Sequence, residues 1–204
     1  MSRPSARLRS TVDGILRLVA PLPASAWERP ASGLDWTCRE TAAHLMDDFG
    51  AYALQLSGST PPQTGYARFR EPPPWTPGGT TSVFWPDPEA GTEGVVECLD
   101  AAAGLLCAVV DAAGPGKRGY HPHGISDASG FAAMGMAEAT LHAHDILAAQ
   151  GIRYAPEPGT ATAILDRLFP DAARSEDPWR DLLAATGRTP ETRGVRWHWD
   201  SSVR

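Results

Sequence analysis

Apolar positions in this chain recur mostly at three- and four-residue spacing, the period of helices with one buried face. Leu8, Val12, Ile15, Leu16 and Val19 form one such stripe, so a first helix is expected from about residue 4 to 20, opened by Pro4 and ended by Pro21 and Pro23. After a turn-rich stretch from Leu22 to Trp36, Thr37 and Glu40 have the spacing of a capping box. A second helix should start there and run through Ala42, Leu45, Phe49, Tyr52 and Leu54 to about Ser57, with His44 near its second turn. Val95, Leu99, Leu105, Leu106, Val109 and Val110 predict a third helix from Pro88 or Glu93 to Ala113, stopped by Gly114-Pro115-Gly116. Ser126 and Asp127 can cap a fourth that reaches Gln150, with Gly151 as its stop. Shorter helical patterns follow at 159–169 and 178–186, and Val195 to Trp199 alternate enough for a short strand or an extended arm.

Between Gly58 and Ala90, prolines and glycines are too dense for a long helix or a central strand, as in Pro72-Pro73-Pro74 and Pro77-Gly78-Gly79. This long loop carries Tyr66, Phe69, Trp75, Phe84 and Trp85. A loop of that length either covers a site or is a poorly ordered insertion. The elements together predict an all-α fold: a four-helix bundle over 1–154, with the long loop between helices two and three, and a short helical extension over 155–204 packed on it.

Composition narrows the function classes. Hydrophobic residues make up 42% of the 204 and charged residues 21%, which suits a chain that folds by itself. The formal charge of -6, from 18 Lys+Arg against 24 Asp+Glu, offers no phosphate-tracking surface, so nucleic acid is not expected as a partner. Arg3, Arg7 and Arg9 precede an apolar stretch, but Asp13 and Arg17 interrupt it as they would an amphipathic helix rather than a signal peptide. No window reaches the roughly 18 apolar residues of a membrane span. Cys38, Cys98 and Cys107 are odd in number and lack C-x-x-C spacing. A soluble, cytoplasmic protein is expected, and its cysteines read as small core residues.

The chemistry concentrates on the fourth helix. At 100° per residue His142 falls about 40° from Glu138, and Asp145 about 20° to the other side, on the face continued by Phe131, Met134 and Gly135. A buried glutamate is costly unless it is paired or coordinated. Glu138 and His142, at i and i+4, are therefore either metal ligands projecting into the bundle or a carboxylate and a core histidine paired without metal. His44 is the natural third ligand, at a core-directed position on the second helix. Two nitrogens and a carboxylate suit Zn, Ni or Fe better than Mg or Ca, and three protein ligands leave positions open. Asp145 can orient a ligand imidazole, and Asp48, four residues after His44, can serve as a fourth ligand or base, though a solvated face suits it better. His144 falls about 120° from Glu138, off the site face. His121 and His123 are placed on a surface loop, His198 in a packed tail, and Trp27 and Trp36 at one end of the bundle.

The run from Ala26-Trp27 through Gly33-Leu34-Asp35-Trp36-Thr37 to Ala43-His44-Leu45 resembles the Trp, Gly-x-x-Trp-Thr and Ala-His-Leu pattern of the mycothiol-dependent maleylpyruvate isomerase metal-binding domain. Glu138-Ala139-Thr140-Leu141-His142-Ala143-His144-Asp145 is similar to that family's Glu-x-x-x-His-Ala-x-Asp segment. The likeness covers about residues 1 to 150. It implies a DinB-like four-helix bundle, a divalent metal (Zn first, Ni or Fe as alternatives) on His44, Glu138 and His142, and a thiol cofactor such as mycothiol. The isomerase itself has a further C-terminal domain that contributes to its active site. The segment 155–204 is shorter, so maleylpyruvate isomerisation itself is not expected, and residues such as Arg193 or Trp197 are available from that segment instead. The expectation is a metal-dependent thiol transferase or isomerase acting on a small molecule. A non-catalytic metal-containing binding module, or a bundle merely stapled by its metal, are the alternatives.

Overall fold

The computed structural model describes residues 3–70, 72–74 and 77–203, and six α-helices with no β-strand among them. The first helix, α1 (Ala6–Val19), buries Leu8, Val12, Ile15 and Val19 as its stripe requires. In α2 (Cys38–Ser57) the capping box forms in both directions: the Thr37 side chain accepts the Glu40 N–H, and the Glu40 side chain accepts the Thr37 N–H. A short 3₁₀ turn (Pro88–Ala90) leads into α3 (Gly91–Ala112). The fourth helix, α4 (Ala128–Ala149), is capped by the Asp127 carboxylate, which accepts the Gly130 N–H at 2.9 Å.

Helices α1 and α2 each pack against both α3 and α4, closing a four-helix bundle. Trp27, Phe49, Phe131, Leu8, Met46, Leu106 and Met134 fill its interior. Nearly the whole circumference of α4 is buried, because α5 (Thr160–Leu168) covers the side the bundle leaves free and α6 (Pro178–Ala185) packs on α5. Gly135 lets Leu106 of α3 and Leu8 of α1 approach the α4 backbone; a Cβ there would lie 2.8 Å and 3.4 Å from their methyl groups. After α6 the tail is extended rather than paired as a strand. The Ser201 N–H donates to His123 O and the Val203 N–H to Ile125 O, while Trp199 is buried against Phe169 and His121.

The long loop is fastened to α2 at two points. Buried Gln55 donates to Gly65 O at 3.1 Å and accepts the Ala67 N–H at 2.9 Å, while Asp47 Oδ1 accepts the N–H groups of Val83 and Phe84 at 2.7 and 3.3 Å. Its aromatic residues are not core anchors in the full sense, since Tyr66, Phe69 and Phe84 remain exposed. Trp75 lies outside the described residues. The Phe84 ring packs on Gly50 of α2, in space that any Cβ would occupy. Gly50→Ala should therefore favour the helix by about 1 kcal/mol while dislodging the ring. Limited proteolysis should then cut the 58–90 loop several-fold faster with the melting temperature nearly unchanged; unchanged cleavage would show that Phe84 does not hold the loop.

Candidate metal centre

Where α2 and α4 face one another, His44, Glu138 and His142 each offer one ligand atom, and these atoms all lie within 4.8 Å of one another. His142 is the hub. Its Nε2 lies 3.1 Å from Glu138 Oε2, and its Nδ1 lies 3.2 Å from Asp145 Oδ2. The rings of His44 and His142 meet edge to face with centroids 5.3 Å apart, and Trp36 packs edge-on against His44 at 5.0 Å. Asp145, only 1% exposed, is gripped by Arg188, whose Nε and Nη2 donate to its two oxygens at 3.0 and 2.7 Å. That guanidinium also lies over the Trp197 ring, 5.9 Å from its centroid. The Tyr52 hydroxyl donates to Glu138 Oε1 at 3.4 Å.

Charge in this cluster follows from burial and pairing. Burial opposes the imidazolium form of His142, but its bonds to Asp145 and Glu138 outweigh that and push its pKa up to about 9. Burial likewise works against the Glu138 carboxylate, yet His142, His44 and Arg188 hold it below its ordinary value; His142 and Arg188 do the same for Asp145. Burial holds His44 below the usual histidine range, which leaves it neutral, as a ligand must be, whereas His142 carries a proton that a metal on its Nε2 would have to displace. Asp48 is driven well above the carboxylate range, first by burial and then by the Glu138 charge. Its Oδ2 lies 3.2 Å from His44 Nε2, close enough for an ion pair but out of line for a hydrogen bond, so this buried oxygen has no hydrogen-bond partner.

Two imidazoles, a held-down carboxylate and an unpartnered buried oxygen beside them form a donor set that fits a divalent cation. The match to known families agrees with the geometry: the family model of the mycothiol maleylpyruvate isomerase N-terminal domain matches residues 8–147, more than half of the chain. The chain belongs to this family. No curated protein and no solved structure matches it.

In this family member the DinB-like bundle sets the triad between two cavities, with His44, Glu138 and Trp197 lining both. The smaller, about 400 Å³, is walled by Trp36, His142, Arg188 and Arg193. The larger, about 760 Å³, lies under the long loop and takes in Asp48, Tyr52, His121, His123 and His198. Asp48 thus faces the site rather than solvent. His121 is also not on the surface: it is 7% exposed, between Tyr52 and Trp199. His198 stacks on His123 with centroids 5.2 Å apart. His144 is not one of the triad's donors and packs edge-on to Trp179, but it lines the smaller cavity. Trp27 is fully buried and donates to Thr92 at 2.8 Å, whereas Trp36 is part of the site wall.

Arg188 has no local signal in the sequence, where it is a lone arginine after Gly187. Tyr52 had one: eight residues after His44, it lies on the same side of α2 as the site. Removing the guanidinium with Arg188→Met leaves the buried Asp145 carboxylate with His142 as its main partner. Denaturant unfolding should show a loss of about 3 kcal/mol; a loss below about 1 kcal/mol would mean the pair contributes little.

His121 Nδ1 accepts the His123 N–H at 3.2 Å, and burial, then His123, lowers its pKa to about 4. The unfolded chain, with an ordinary histidine near 6.5, binds the proton first, so stability should fall as pH drops from about 6.5 to 4. His121→Asn keeps an acceptor without titrating, and should flatten that decline by roughly 2 kcal/mol in unfolding curves.

Proposed function

We propose that this chain is a metal-dependent enzyme of the thiol-dependent transferase or isomerase class, holding one divalent metal on His44, Glu138 and His142 and using a low-molecular-weight thiol such as mycothiol. The observation that carries the reading is the convergence of those three donors from two helices, and membership of a family named for a mycothiol-dependent isomerase supports it. Zinc suits the donor set first, with nickel or iron as alternatives. A bound divalent cation supplies the Lewis acidity that favours loss of a proton from a thiol or water.

The remaining steps belong to the protein's own groups. Asp145 accepts the proton of His142 Nδ1 in a hydrogen bond and so presents Nε2 as the donor atom, and Arg188 keeps that carboxylate from turning away. Tyr52 satisfies Glu138 Oε1 and leaves Oε2 toward His142. Asp48, whose carboxyl favours its protonated form, borders the site beside His44 as a neutral group rather than as a base. On this reading residues 1–154 form the metal-binding bundle, and 155–204 an extension that contributes Arg188 and Trp197 to the site. Three free cysteines fit a reducing cytoplasm. No helix among the described residues is long and apolar enough to cross a membrane.

Elemental analysis of protein offered zinc and then dialysed should find about one equivalent per chain. His44→Ala and His142→Ala should each lower the affinity at least about tenfold. Metal-free protein after such loading would overturn the proposal.

A further inference from the structure

The two cavities that meet at the triad differ in charge, and the difference bears on what the larger one accepts. Arg188 and Arg193 line the smaller, beside Glu138 and the Asp145 that Arg188 grips. No lysine or arginine lines the larger among the described residues; its acidic groups are Asp47, Asp48 and Glu138. His121 and His123 add no fixed positive charge, since burial holds both below the usual range. Around these groups stand Tyr66, Phe69 and Phe84 from the long loop and Trp197 and Trp199 from the tail. The three loop residues are 52, 62 and 38% exposed, although Gln55 and Asp47 tie the backbone that carries them to α2. Aromatic side chains held at a cavity wall but left uncovered gain free energy only when an apolar molecule covers them. A carboxylate entering there would shed water, meet the Asp47 carboxylate and find no arginine or lysine.

We infer that the larger chamber binds a neutral aromatic or otherwise apolar substrate and rejects dicarboxylates, the chemical class to which maleylpyruvate belongs. This rests on the reading of the triad as a reaction centre and specifies the partner of the thiol. The chamber brings that substrate against His44 and Glu138, which line it.

The test titrates 1-naphthol, a neutral aromatic probe, into the full chain and follows binding by saturation-transfer NMR, with and without zinc. Maleate is then added as the dicarboxylate competitor. Naphthol should bind, and maleate in about tenfold excess should not displace it. The double variant Tyr66→Ala, Phe69→Ala should weaken naphthol binding about tenfold while keeping the melting temperature, since both side chains are largely exposed. Displacement of naphthol by maleate, or unchanged affinity in the double variant, would overturn the assignment. Naphthol binding by a chain that takes up no zinc supports the chamber while removing the metal reading. Zinc uptake without naphthol binding overturns the chamber alone.

Discussion

Three carboxyl groups and two imidazoles share the interior between α2 and α4, and the rest of the molecule is arranged around what that costs. Glu138, Asp145 and Asp48 sit where ionisation is penalised by burial. His142, bridging Glu138 and Asp145, and Arg188, closing on Asp145, answer part of that charge. The answer is incomplete: Asp48 stays well above the carboxylate range, and its buried oxygen has no hydrogen-bond partner. A protein can hold such a cluster when it has a use for it, and a divalent cation among His44, Glu138 and His142 would take the place of the His142 proton and add a further positive charge.

Elements that look peripheral follow from the same cluster. The extension supplies the cation that Asp145 needs, and its tail lays Trp197 across the boundary of both cavities. The long loop, fastened by Gln55 and Asp47, roofs the larger cavity from the opposite side. Burial of α4 on nearly every side is also a consequence: a helix bearing Glu138, His142 and Asp145 on one face must be screened from water there, and α5 screens the other.

Much of this was readable in the sequence, because local signals govern local structure. The Thr37 and Glu40 capping pair, the Gly114-Pro115-Gly116 stop and the three-and-four stripes place the helices to within a few residues of where they lie. The periodicity of α4 puts Glu138, His142 and Asp145 on one face, where the structure pairs them, and His144 off it, although His144 also lines the smaller cavity. Contacts between distant segments have no such signal. Nothing around Arg188 announces Asp145 43 residues earlier. His121 reads as a loop residue because its neighbours Pro122 and Gly124 mark a turn, yet it is the packing of Trp199 and Ser201 from the tail that buries it.

The central claim is a single metal on two imidazoles and one carboxylate, with a position left for a thiol. X-ray absorption at the zinc edge of the loaded protein tests it directly. The account predicts nitrogen and oxygen neighbours only, and a sulfur neighbour at about 2.3 Å once a low-molecular-weight thiol is added. A zinc shell that already contains sulfur before the thiol, or one that the thiol leaves unchanged, would contradict it.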